Sequence, residues 1–511
     1  MLTIVAQLKI AVIGVSIFGL NTEQLPNLSP GMQDAIVKLQ ENPEAFGAAV
    51  QSIANLADAG DQNAQYALAL WLERGSGVRQ DIPQAERLYR RAAEQGHPLA
   101  LNSLGALLIQ NYSQDPAKLS EAVELIRQAE AAGLPLARRN LAQLYIRGVG
   151  GLEPSLETGR SLLEKGAAEN DGESLLALSQ LYEGAFDHPK DEAKSLTLLE
   201  DAGNAGSVEA MVRLGQKYLR GEGVGKDESR SVEWFTKAAE KNSAAAQRSL
   251  ASLYETGTGV EADMAKAMEW YTKAAEANDA VAQHMLGGHY ERGGAVNRSP
   301  AVALNLYRMA ARNGLAAAGY NVGVFYEQGR VVDQDFEKAF QNYLAAARAG
   351  LAPAMHKVGE FYMSGQGITQ DQVAAAGWFN LGARAGLGDS QLQLGSMYEG
   401  GVGVKQDFRS AAGLYSLAEQ QGNLVARFRL ALLNARGLGV QERDLERAYA
   451  LAASAAAGGY ELAAQLRDQL KGQMSPAQIQ AAEALMGVTD GGDAGAPPPA
   501  PAAAASGGAG Q

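Results

Sequence analysis

The chain has 511 residues, 46% hydrophobic and only 6% aromatic, with a formal net charge of −13 at pH 7 and no cysteine. The missing cysteine excludes disulfides, thiol nucleophiles, thiolate metal sites and a lipid anchor on an N-terminal Cys. The acidic balance argues against nucleic acid or an anionic membrane as partner, since both call for clustered Lys and Arg.

The N-terminal segment, residues 1–28, contains an apolar run from Ile10 to Leu20 (IAVIGVSIFGL). Its length is that of a signal-peptide core rather than a membrane span. Lys9 is the only positive charge before it, and no clean small-x-small cleavage site follows. Two readings stand. As an export signal or weak anchor, the run makes the protein periplasmic or otherwise exported. As a buried first helix or a misassigned start, it leaves the protein cytoplasmic. Membrane association is expected only through this segment, if it stays uncleaved. Ser29-Pro30 and Asn42-Pro43 each read as an N-cap followed by proline in the first turn, which predicts a capping helix pair over residues 29–60.

A helix-ending residue then recurs at steps of 36 or 37 as Gly60, Gly96, Gly133, Asn170, Gly206, Asn242, Asn278, Gly314, Gly350, Gly386, Gly422 and Gly458. Gly and Asn tolerate positive φ most readily and so close helices. Such a period over residues 61–458 predicts one small unit stacked many times, each touching only its neighbours.

The unit is clearest over Ala244–Asp279. Ala246, Leu250, Ala251 and Tyr254 share one face of a first helix. Gly257 and Gly259 break it, and Val260 plugs the turn. Asp263 caps a second helix whose buried stripe is Ala267, Trp270, Tyr271, Ala274 and Ala275, and Asn278 ends it. The anchor tyrosine recurs as Tyr145, Tyr182, Tyr218, Tyr254, Tyr290, Tyr326, Tyr362 and Tyr398, and the cap nine residues on as Asp81, Asp227, Asp263, Ser299, Asp335, Asp371 and Asp407. Three units depart. The one from Pro98 has lost its glycine turn, the next has Pro154 at the cap, and the last has Asn434 for tyrosine and Asp444 one place late. Residues 459–486 predict closing helices over Glu461–Leu470 and Ser475–Leu485. Residues 487–511, rich in Gly, Ala and Pro, lack apolar bulk and are expected to be disordered.

The segments LxxLYExGxGV at Leu250–Val260 and WYxKAAExN at Trp270–Asn278 closely resemble the Sel-one-like repeat (SLR) family, relatives of the tetratricopeptide repeats. The resemblance covers about residues 60–460. It implies an all-α, right-handed superhelical solenoid of about eleven 36–37-residue helix-turn-helix repeats plus terminal caps. It further implies a non-catalytic adaptor or scaffold that binds a protein or peptide on its concave face. The alternative is a cell-envelope factor that assists polysaccharide export or binds glycan.

Chemistry is sparse. His284 and His289 are five apart and do not share the metal-binding face of a helix. Gly221–Asp227 (GEGVGKD) lacks the phosphate-loop spacing and falls on an ordinary repeat turn. Neither an enzyme nor a metal or other cofactor is expected. Two candidate binding series remain. An acidic ladder follows the anchor position, with Glu255, Glu291 and Glu327 as its central members. It could select a basic ligand or serve the repeat itself. A second stripe, Arg248, His284, Tyr320 and His356, lies six residues before the anchor, and the resemblance places it in the concave groove. Its aromatic and imidazole groups suit an extended peptide or a sugar chain, with packing between first helices as the other reading.

Overall fold

A computed structural model describes residue 25 and residues 28–41, 46–294 and 296–489. The apolar run Ile10–Leu20, the Asn42-Pro43 cap and the tail from 490 onward lie outside the described residues. Among the described residues every regular element is a helix, and the helices come in pairs from Pro30–Glu41 to Pro476–Thr489. The chain divides into two compact units, one ending at Leu286 and the other beginning at Gly287.

The pairs form because the same stop and start signals recur. In the first unit, helix Ala244–Thr256 ends where Gly257 turns to φ 71 and donates its N–H to Leu253 O. Helix Met264–Glu276 starts where Asp263 accepts from Lys266 N at 3.0 Å. That side-chain oxygen satisfies one of the first-turn N–H groups that a helix cannot pair internally. The backbone N–H of Asp263 also donates to the anchor carbonyl, Tyr254 O, at 2.9 Å. The turn is thereby fastened from both sides. The same backbone bond joins Asp227 to Tyr218, Asp371 to Tyr362 and Asp407 to Tyr398, each at 2.9 Å.

Close packing of the two helices rests on a small residue three before the anchor. In the second unit a Cβ on Gly323, Gly359 or Gly395 would sit 2.7 Å from the ring of Tyr343, Phe379 or Tyr415. Those three rings are among the largest fully buried side chains, and alanines fill the rest of the seam. A ridge without Cβ lets a flat ring settle against backbone, which sets the helix separation.

Several positions differ from expectation. The left-handed residue of the last repeat is Gly459 (φ 94) rather than Gly458 (φ −74). The helix keeps the usual thirteen residues, Leu445–Ala457, and begins one place late after Asp444, so its closing residue is one place late as well. Ser155 is the cap beside Pro154 and accepts from Thr158 N at 3.1 Å, since proline has no polar side chain for the task. Ser299 occupies a cap position without a side-chain cap bond. Tyr254 and Trp270 are half-buried, and Leu253 and Met268 take the inner places beside them. The unit after Pro98 keeps its pair, Pro98–Asn111 and Pro116–Ala131, with Asp115 capping the second helix. The last helix continues through Thr489, past the boundary expected at 487.

Candidate partner-binding face

The stripe residues share one register on the first helices, and their surroundings explain why. In the first unit Arg248 and His284 are half-buried. Arg248 Nε donates to Asp279 Oδ2 at 3.1 Å, and the other oxygen of Asp279 caps the next helix by accepting from Ala282 N at 2.7 Å. In the second unit the ring of Tyr320 lies 5.2 Å from that of Tyr343, and the ring of His356 lies 5.3 Å from that of Phe379. Each stripe side chain there roofs the buried ring of its own repeat and leaves its outer edge in water. His356 also links repeats, with Nδ1 3.1 Å from Ser390 Oγ. Leu392 and Phe428 occupy the same register in the next two repeats and are half-buried as well.

The acidic ladder is engaged inside the repeats. Glu255 accepts from Tyr271 OH at 2.8 Å, Glu291 from Tyr307 OH at 2.8 Å and Glu327 from Tyr343 OH at 2.5 Å. Glu73 and Glu399 do the same with Tyr89 and Tyr415. Burial, then the hydrogen bond and charge of the carboxylate, push these phenols well above their usual range, so each stays a donor. A cation of the following repeat often completes the clamp. Arg330 reaches Glu291 at 2.8 Å and Lys357 reaches Glu327 at 3.2 Å.

Sequence reasoning passed over this pairing, although the signal was present. Tyr89, Tyr271, Tyr307, Tyr343 and Tyr415 on the second helices each have a glutamate sixteen residues before them. Where the second helix carries Phe235 or Phe379, that place holds Leu219 or Met363. Glu183 has Leu199 at that spacing and pairs instead with Lys217 at 2.9 Å.

Among the described residues no cluster of His, Cys, Asp or Glu could hold a metal ion, and no helix is long and apolar enough to cross a membrane. The family model described as Sel1 repeat matches residues 62–97, 135–171, 172–207, 208–243, 244–279, 280–315, 316–351, 352–387, 388–423 and 424–460. The chain belongs to the Sel1 repeat family. Ten repeats match rather than the eleven expected, because the helix pair between 98 and 134 has lost the glycine turn. Sel1 repeats are an interaction scaffold, and protein partners are their usual ligands. The chain is similar to c5321, described as a protective antigen present in uropathogenic Escherichia coli strains displaying an SLR fold. The identity is 28% and the TM-score 0.60, over 86% of this chain and 93% of that one. It is also similar to a Sel1 repeat protein from Oxalobacter formigenes at 29% identity and TM-score 0.49, over 61% of this chain and 89% of that one. No curated protein matches the chain.

Proposed function

We propose that this Sel1 repeat protein is a non-catalytic adaptor that holds a protein or peptide on the face formed by its first helices. The observation that carries the reading is the recurrence of half-buried, outward-edged side chains in one register, repeat after repeat, as at Tyr320 and His356. Binding energy on such a surface comes from modest contacts spread over several repeats, with aromatic anchors contributing most. Replacing Tyr320 and His356 together by Ala is expected to weaken partner binding while the helical circular dichroism stays unchanged. Loss of helicity in the variant would show that the two rings serve the fold alone.

We also propose that the protein acts outside the cytoplasm. The apolar run Ile10–Leu20 supports this, as does the likeness to a protein described as a protective antigen. N-terminal sequencing of protein from its native source tests it. A mature chain that starts after the run fits export, and a cytoplasmic chain that retains Met1 does not.

A further inference from the structure

The turn between the two helices of repeat 316–351 carries a side chain that the fold does not need. Five residues after the anchor, other turns place Gly223, Gly259, Gly367 and Gly403, all at positive φ. A Cβ added at Gly259 or Gly403 would lie 2.3 or 2.1 Å from a backbone carbonyl oxygen of the preceding repeat. Glycine there meets two demands, a left-handed backbone and a close approach. Val331 occupies the same register at φ 66, where a β-branched residue is strained. Its bulk gains nothing inside the chain. Val332 already serves as the apolar plug, as Val224, Ile368 and Val404 do in their own turns. Val331 itself is 56% exposed.

The first unit offers a parallel. Phe186 stands at φ 55 in the turn of repeat 172–207, with the Arg147 guanidinium 5.8 Å from its ring, and is still 47% exposed. Among the described residues, Phe186 and Val331 are the only bulky apolar side chains at positive φ, and water reaches both. Strain without a packing gain points to a contact made outside the chain.

Val331 borders an open cleft of about 740 Å³, whose walls include Tyr326, Val332, Asp333 and Lys338. The cations around it are engaged. Lys338 Nζ lies 2.7 Å from Asp335 Oδ2, Arg308 donates to the Tyr326 hydroxyl at 2.7 Å, and Arg330 reaches Glu291 at 2.8 Å. Asp333 is exposed and pairs with none of the described cations. The cleft thus presents an apolar contact and an uncommitted carboxylate together. A partner complements both with an apolar side chain beside Lys or Arg.

We propose that this turn is a second docking site, sharing no residue with the stripe, and that its occupant is a protein segment with a basic residue next to an apolar one. The test is a phage-displayed library of random dodecapeptides panned against the full-length protein, with Val331→Gly in solution to remove peptides that bind elsewhere. The survivors are measured by fluorescence anisotropy. They are expected to carry Lys or Arg adjacent to an apolar residue and to bind Val331→Gly about tenfold more weakly than the parent. Asp333→Asn weakens them about threefold, and Tyr320→Ala leaves their Kd unchanged. A thermal melt of Val331→Gly that is no lower than the parent's shows that the loss is one of contact and not of fold. If no peptide distinguishes the parent from a folded Val331→Gly, the proposal fails. It fails equally if the distinguishing peptides are acidic or indifferent to Asp333→Asn. Neither result bears on the first-helix face, which Tyr320 and His356 test separately.

Discussion

Acid should loosen the joint between the first two repeats of the solenoid, through a single histidine. His97 caps helix Pro98–Asn111, with Nδ1 accepting from Ala100 N at 3.1 Å and Nε2 3.1 Å from Asn63 Oδ1 in the preceding repeat. Its ring stacks on Tyr66 at 5.0 Å and is 0% exposed. The cap needs a lone pair on Nδ1, so protonation removes it. Burial depresses the imidazole from 6.5 to about 4. The folded state therefore favours the neutral form. Its stabilising contribution is complete above the unfolded value of 6.5 and declines as pH falls towards about 4. The full difference of about 2.5 units corresponds to about 3.4 kcal/mol, of which about 2 kcal/mol is already lost at about pH 5. His97→Asn is the control, since Asn423 fills the equivalent cap in repeat 424–460 by accepting from Ala426 N at 2.9 Å. Hydrogen exchange over Leu99–Leu108, corrected for intrinsic rate, should show protection falling about thirtyfold between about pH 7.5 and about pH 5 in the parent and not in the variant. Equal losses in both proteins would refute the argument.

Three further predictions concern the repeat itself. Tyr343→Phe should cost about 1.5–3 kcal/mol, because Glu327 loses a charge-assisted bond. Adding Glu327→Met should recover part of that in a denaturation cycle, since Phe379 with Met363 is the chain's own example of the uncharged pair. Val331 stands at φ 66 where other repeats carry glycine, so Val331→Gly should raise stability by about 1 kcal/mol in a thermal melt, the reverse of the usual effect of glycine. Gly439→Ala should be the opposite case, losing several kcal/mol in the same assay. Its φ is 70, and a Cβ there would lie 2.0 Å from Phe408 O.

The fold was legible because its punctuation is local. Positive φ at Gly96, Asn170 or Asn278, and a carboxylate cap at Asp227 or Asp335, each act within one turn of backbone, so sequence spacing alone locates them. The shift from Gly458 to Gly459 follows from the one-place delay at Asp444, carried through the thirteen-residue helix Leu445–Ala457 to its closing glycine. Side-chain partners across helices were harder. Glu327 reads as an exposed acid until Tyr343 and Lys357 are brought to it from other helices. Arg248 reads as a groove cation until Asp279, at the far end of its own repeat, is brought to it. The stripe was legible as a register, while its extension to Leu392 and Phe428 was hidden because wholly apolar side chains there look like core.

The central claim is that the first-helix face, rather than the outer face of the second helices, holds the partner. A photo-crosslinking residue placed at Tyr320 in the native cells, with a matched chain carrying it at the exposed Val373, tests this most directly when the products are identified by mass spectrometry. The account predicts one dominant protein captured from Tyr320 and little from Val373. Capture from Val373 with none from Tyr320, in chains that remain folded, would contradict it.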